Sequence, residues 1–148
     1  MLKQIALILL FTLALPAMAE EIYETCTLDG SLELKRPTQI FCAGDMNVKD
    51  GAEIVTNGHG LQIVALGRMN FGTSDGVGLN ITAKSLDAGK VFVFARTASG
   101  TLNIDNKAQN FGADVEIEFG SSFRYTQTVD AGRAAAVRTL INGQELQL

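Results

Sequence analysis

Three charged residues recur at a regular spacing in this chain and together are able to do acid–base chemistry. Asp45, Arg68 and Lys90 each follow directly after a glycine, at intervals of 23 and 22 residues. If each interval is one structural repeat, the three side chains form an outward column with about 4.8 Å between neighbours. The carboxylate can then remove a proton while the two cations stabilise the developing anion. The alternative, which we prefer, is a solvated ladder whose surface ion pair is worth about 0–1 kcal/mol.

Aromatic and amide side chains at neighbouring positions indicate a binding face. By the same parity argument Asn47, Asn70 and Phe92 point outward, and Phe94 and Arg96 lie beside Phe92. Exposed aromatic rings next to a guanidinium group can stack on sugar rings or anchor a protein partner. The alternative is that a turn or the C-terminal tail covers the two phenylalanines, which would make them a second small core.

No group of residues predicts a metal or a cofactor. The segment Asp75–Asn80 resembles a calcium-binding turn, but it lacks the G-G-x-G-x-D repeat that builds a shared cage of oxygen ligands. His59 is the single histidine and lies between two glycines, without a serine or cysteine at a recognisable nucleophile position. We therefore expect neither a metal site nor a cofactor.

The first nineteen residues predict export from the cytoplasm. Lys3 supplies a positive charge, Ile5–Leu15 an apolar run, and Ala17–Ala19 a cleavage site with small outer residues. The apolar run is too short to span a membrane. Cleavage after Ala19 is expected to leave the chain Glu20–Leu148, periplasmic or extracellular and without a membrane span.

The composition excludes several classes of protein. With 16 acidic against 12 basic residues and a formal net charge of -4, the chain is not expected to bind nucleic acid. Its 148 residues fit one domain, and 47% hydrophobic residues are too many for a disordered tail. Cys26 and Cys42 are the two cysteines, and an exported chain is expected to join them in one disulfide. A metal or redox pair is the alternative, but a C-x-x-C spacing is absent.

A repeat of about 23 residues is the main structural signal in the chain. Gln39–Val48 aligns with Gln62–Phe71 at an offset of 23, with five identities in ten positions. A third copy, Lys84–Val93, follows at an offset of 22, and Leu79–Ile81 aligns with Leu102–Ile104 at 23. The alignment predicts that four glycines stack in one column: Gly44, Gly67, Gly89 and Gly112.

The content of each repeat predicts an all-β fold. Short apolar-x-apolar segments alternate with glycine turns, and no helical stripe appears between residues 25 and 128. Three short strands and three turns make one coil of a parallel β-helix. We predict about four coils over residues 38–126, an N-terminal cap over 20–37 and a C-terminal cap over 127–148. An antiparallel β-sandwich is the alternative, because Asp29-Gly30 and Asn142-Gly143 are hairpin signals.

The ends of such a column expose unpaired strand edges, so self-association through the coil ends is a further expectation. The C-terminal cap has two interpretations. Asp130 can cap a helix over Arg133–Leu140. Alternatively, Val137–Ile141 and Gln144–Leu148 form a hairpin around Asn142-Gly143.

Through its period and turn glycines, the chain resembles the right-handed parallel β-helix proteins found among secreted glycan-active enzymes, adhesins and envelope scaffolds. The resemblance covers residues 38–126 and includes no family-specific motif. It implies the fold, and through lyases of that fold it implies the enzyme alternative at Asp45, Arg68 and Lys90. Our main hypothesis is a non-catalytic exported module that presents a binding face to an envelope glycan or protein.

Overall fold

The computed structural model describes residues 19–23, 26–73, 75–108 and 112–146, with backbone alone for 19–23. The predicted signal peptide, residues 1–19, therefore lies outside the described residues except for its last residue, which begins the first strand. The described chain is all-β. Its strands are β1 (Ala19–Tyr23), β2 (Cys26–Leu28), β3 (Ser31–Glu33), β4 (Thr38–Cys42), β5 (Met46–Val48), β6 (Glu53–Val55), β7 (Leu61–Phe71), β8 (Leu79–Thr82), β9 (Val91–Asp105), β10 (Val115–Asp130), β11 (Val137–Ile141) and β12 (Gln144–Glu145).

The strands form a parallel β-solenoid, which confirms the predicted fold. Every described pairing joins strands one coil apart in parallel, except the antiparallel pairing of β11 with β12. The alternative of an antiparallel sandwich is wrong. The column has about five coils, because β1, β2 and β3 pair with β4, β5 and β6 and form a coil of their own. The segment 20–37, predicted as a cap, is thus part of the column.

Three walls surround the core, and each strand position belongs to one of them. Wall 1 contains β1, β4, β11 and residues 61–65, 91–95 and 115–119. Wall 2 contains β2, β5 and residues 68–71, 97–100 and 121–125. Wall 3 contains β3, β6, β8 and residues 102–105 and 127–130. The long strands β9 and β10 run through all three walls without a break between them.

The predicted register is correct for two pairs of repeats and wrong for the third copy. Ile40 pairs with Ile63, as predicted, and Ile81 pairs with Ile104. Val91, however, pairs with Leu61, 30 residues earlier. The third coil is longer because the turns at 72–78 and 83–90 exceed the equivalent turns at 49–52 and 56–60.

The glycines consequently do not form one column. Gly67 lies on Gly44, whose carbonyl accepts its backbone N–H at 3.0 Å. Gly89 instead lies against His59 and Gly60, on the opposite side of wall 1. The spacing of 22 residues between Gly67 and Gly89 combines a strand with extended turns and does not measure one coil.

Inward side chains of the three walls form one continuous apolar core. A cluster of three rings in its lower half joins wall 1 to wall 2: Phe71, Phe119 and Tyr125, with centroids 5.3–6.2 Å apart. Gly100 lies between Phe71 and Tyr125 in the same inward column. Because Gly100 has no side chain, the two rings can meet across its coil.

The C-terminal end is a hairpin, and the helical alternative is wrong. Asn142 and Gly143 both have positive φ, 53° and 72°, as a two-residue turn between β11 and β12 requires. Beneath the ring cluster, the Tyr125 hydroxyl donates to Gln127, whose amide donates to the buried Thr139 hydroxyl at 2.8 Å. These hydrogen bonds place polar groups at the lower end of the core, where apolar side chains would otherwise face water.

Replacing Gly100 with alanine should destabilise the column more than the same change at Gly30. At residue 100 the methyl group meets the carbonyl oxygen of Phe71 at φ 91°, whereas at residue 30, φ 79°, it meets open space. We expect Gly30→Ala to lower the free energy of unfolding by about 1 kcal/mol and Gly100→Ala by about 2 kcal/mol or more. Urea unfolding measures both values. Equal losses would show that the space at Gly100 is not needed.

The Cys26–Cys42 disulfide, present as predicted, joins the first coil to the second with a sequence separation of 16. We expect the double change Cys26→Ser/Cys42→Ser to lower the free energy of unfolding by about 3 kcal/mol, because the unfolded chain regains loop entropy. Chemical denaturation of the parent chain with and without reductant provides the comparison. A parent chain that reduction leaves equally stable would contradict this expectation.

Candidate binding face

The predicted catalytic column is not formed. Asp45 and Arg68 are neighbours at the corner between walls 1 and 2, where the Arg68 backbone N–H donates to the Asp45 carboxylate at 2.8 Å. Arg68 pairs with Thr97 in the next coil. Lys90 precedes Val91 at the other edge of wall 1, a strand length of roughly 16 Å away. The expected register for Lys90 is wrong because the third coil is longer than the repeat.

Asn47 and Asn70 lie on the outside of wall 2 and bind one another. The Asn70 amide donates to the Asn47 carbonyl oxygen at 2.9 Å, and the Ser99 hydroxyl donates to Asn70 at 2.8 Å. Stacked amides of this kind satisfy each other along the column axis. The structure therefore separates the two asparagines from Phe92 and gives them a ladder that links three successive coils.

Phe92 and Phe94 point outward from wall 1, on a different wall from the asparagines. Their neighbours Val91, Val93 and Ala95 are fully buried in the core, and both phenylalanines are half-buried. Arg96 follows at the corner and is exposed. We call the outward side chains of this wall the wall 1 outer face: Gln39, Phe41, Gln62, Val64, Phe92, Phe94, Glu116 and Glu118.

A second apolar cluster lies on this outer face, separate from the core. Phe41 and Val64 are each 1% exposed, and Ala43, Phe92 and Phe94 pack against them. The sequence analysis did not identify Phe41 or Val64 as surface residues. Their signal is a pair of equivalent segments, Gln-Ile-Phe and Gln-Ile-Val, that place apolar residues at an outward position.

The buried glutamines on the same face have unpaired polar atoms. The side chain of Gln39 is 1% exposed, and neither its Nε2 nor its Oε1 has a hydrogen-bond partner. Gln62 is 7% exposed, and its Oε1 is likewise unpaired. Unpaired amide groups in an apolar environment are unfavourable unless a partner supplies the missing hydrogen bonds. Two amides beside an apolar stripe therefore provide both hydrogen-bonding and hydrophobic groups for a ligand.

The lower edge of the outer face is acidic and adjoins a groove. Glu116 and Glu118 occupy the outward positions of the coil below Phe92 and Phe94. A groove of about 490 Å³ runs beside them between the wall and the C-terminal hairpin; it is lined by Leu66, Phe94, Arg96, Glu118, Asn142 and Gly143. Leu66 is 40% exposed there. Apolar, cationic and anionic groups thus meet at one corner of the face.

Asp50 holds the long turn of the third coil, a role that the sequence analysis missed. Its carboxylate accepts backbone N–H groups of Gly78, at 2.9 Å, and Thr73, and also the Thr73 hydroxyl at 3.0 Å. The backbone hydrogen bond from Gly78, and after it those from Thr73, lower the pKa of Asp50. The turn 72–78 is therefore attached to the coil before it by a charged acceptor.

The lowered pKa of Asp50 predicts a stability that depends on acid. The folded chain binds the proton less readily than the unfolded chain, so the stabilisation is complete above about pH 4 and is lost as the pH falls through the folded pKa. We expect Asp50→Asn to lower the melting temperature near pH 7, and the difference from the parent to shrink below pH 4. The matched control is Asp75→Asn, an exposed carboxyl on the same turn. A pH-independent difference would contradict the role of the Asp50 charge.

The two ends of the column differ. At the upper end a cavity of about 300 Å³ opens between β2 and β3, lined by Cys26, Leu28, Leu32, Ile40 and Met46. At the lower end, β11 and β12 occupy the position that a further coil would take in wall 1. Self-association through the coil ends remains a prediction.

Other chemistry has little support in the described part of the chain. There, no three His, Cys, Asp or Glu side chains converge in a way that could hold a metal ion. None of the described residues forms a helix long and apolar enough to cross a membrane. The backbone N–H of His59 donates to the Thr56 carbonyl at 2.9 Å, which places it in a turn of the second coil.

Comparisons of the chain with protein-family models, with curated proteins and with solved structures find no match. The assignment of a β-solenoid fold therefore depends on the strand register, and no activity is transferred from a relative.

Proposed function

We propose that this protein is a non-catalytic exported module that presents the wall 1 outer face to a partner in the cell envelope. The observation that carries the proposal is the second apolar cluster, which lies outside the core on a regular wall. Phe92 and Phe94 lie on one strand of it, two residues apart, and contact Phe41 and Val64. Aromatic side chains held by a sheet lose little conformational freedom on binding and often supply most of the binding energy.

The dimensions of the face suit a small protein or glycan epitope. Four coils at about 4.8 Å and a strand of about 16 Å give an area of roughly 300 Å², the size of a functional patch on a small protein. Gln39 and Gln62 offer both donors and acceptors, which peptide groups and sugar hydroxyls can satisfy. The groove beside Phe94 adds Arg96 and Glu118 at the rim.

Export is supported by the leader-like N-terminus and by the disulfide. Disulfides persist in oxidising compartments such as the bacterial periplasm and the extracellular space. The Cys26–Cys42 bond joins two coils near the start of the column, where an N-terminal edge would otherwise fray. Both features fit a chain that works in the envelope or outside the cell.

We do not propose the lyase alternative. A proton-abstraction site needs its base and its cations within contact of one sugar residue. Lys90 lies at the far edge of wall 1 from Asp45 and Arg68, so the three residues cannot surround one reacting atom.

Substitution of the outer-face aromatics should abolish binding and leave the fold intact. We expect Phe92→Ser and Phe94→Ser each to weaken binding by about tenfold or more, because each removes a central aromatic contact. The matched control is Asn47→Ser on wall 2. Binding is measured against arrays of purified envelope glycans and against isolated envelope proteins, with circular dichroism as the check on folding.

The arms of this experiment separate a glycan from a protein partner. Equal binding by the parent and both phenylalanine variants would contradict the proposal. Release of unsaturated oligosaccharides by the parent, lost in Arg68→Ala, would establish the enzyme alternative instead.

A further inference from the structure

We propose that the N-terminal segment, residues 1–18, covers the wall 1 outer face until the segment is cleaved off, so that processing exposes the binding face. The cover itself is independent of the proposed function; the consequence for binding rests on it. The occupant is thus a segment of the same chain, and the face it covers is the one described above.

Burial on both sides of two strands requires a second layer. All five residues of β4 are buried, and so are residues 61–65 of β7. In β9 and β10 the outward residues of the same wall are half-buried. A strand buried on both faces needs packing on both faces. All described strands lie in the three walls, so none of them lies across the outer side of wall 1.

The length of the N-terminal segment and the place where it ends fit this layer. The segment joins the described chain at Ala19, which pairs with Thr38, directly beside the buried Gln39. From that coil to the coil of Glu116 is about 19 Å at 4.8 Å per coil. Eighteen residues reach about 27 Å even at the 1.5 Å advance of a helix. The other stretches outside the described residues hold three residues or fewer.

The chemistry of the segment matches the gradient along the face. Its apolar run, Ile5–Leu15, is suited to cover Phe41, Val64 and Phe94. Its single charged side chain, Lys3, comes fifteen residues before Met18 and has the opposite sign to Glu116 and Glu118. An apolar run joined to a cation thus meets an apolar stripe that ends in two carboxylates.

The unpaired amides make this cover weak. An apolar segment supplies few groups to Gln39 and Gln62, whose buried polar atoms lack partners. A partner with peptide or hydroxyl groups can satisfy these amides and therefore competes well for the face once cleavage has made the segment a separate peptide. Removal of the leader would then couple export to the availability of the face.

The test uses hydroxyl-radical footprinting of the full chain. Ala17→Leu prevents cleavage by removing a small residue of the cleavage site. In this uncleaved chain, Ile8→Asp/Leu10→Asp should raise the labelling of Phe92 and Phe94 several-fold, because charge in the apolar run displaces it. Leu86→Asp, at a position 71% exposed on a turn, is the matched control and should change nothing. Labelling of the core ring Phe71 reports whether the fold is intact.

Two outcomes decide the proposal. Increased labelling of Phe92 and Phe94 with Phe71 still protected supports the cover. Unchanged labelling in Ile8→Asp/Leu10→Asp overturns it, and so does equal labelling before and after cleavage. If the cleaved chain does not fold, Phe71 becomes labelled, and the uncleaved aspartate variant decides alone. Footprinting needs no partner, so a processed chain that binds nothing would refute the proposed function and leave this result standing.

Discussion

Parallel hydrogen bonding between successive coils is the constraint on which the rest of this structure depends. Each strand must donate to and accept from the strands one coil before and after, so the register on each wall is kept over the whole column. Any change in chain length has to be absorbed in the turns. The third coil shows this directly, because its turns at 72–78 and 83–90 are extended while Leu79 still pairs with Leu102. The carboxylate of Asp50 then stabilises the longer turn by binding its backbone N–H groups.

The same ladder makes the ends of the column its weak points. The first coil has a partner on one side only, and the disulfide between Cys26 and Cys42 ties it to the next coil. At the other end the chain reverses at Asn142-Gly143, and β12 covers part of the free edge of β11. The hydrogen bonds from Tyr125 through Gln127 to Thr139 give the exposed end of the core a polar lining. Each end is therefore closed by a different chemical device.

The ladder also decides what the surface of the protein looks like. Because side chains alternate along a strand, every outward position becomes a column that runs across the coils. On wall 2 this column is the amide and hydroxyl ladder of Asn47, Asn70 and Ser99, whose members satisfy one another. On wall 1 the equivalent columns hold aromatic, aliphatic and glutamine side chains, which the other described strands neither cover nor satisfy. The chemical difference between the two walls is the reason for placing the binding face on wall 1.

The sequence by itself determined the class of fold, the pairing of the cysteines and the C-terminal turn as one of two alternatives. These features depend on residues close together in the chain, such as alternating apolar positions and Asn142-Gly143, or on two cysteines with no other partner. Only the tertiary structure decided which residues share a wall. Lys90 left the predicted column, and Phe92 came to lie with Phe41 and Val64, away from Asn47. The physical reason is that the register between coils sums the lengths of all intervening turns, and a turn can lengthen at the surface without disturbing the hydrogen bonds that stack the strands.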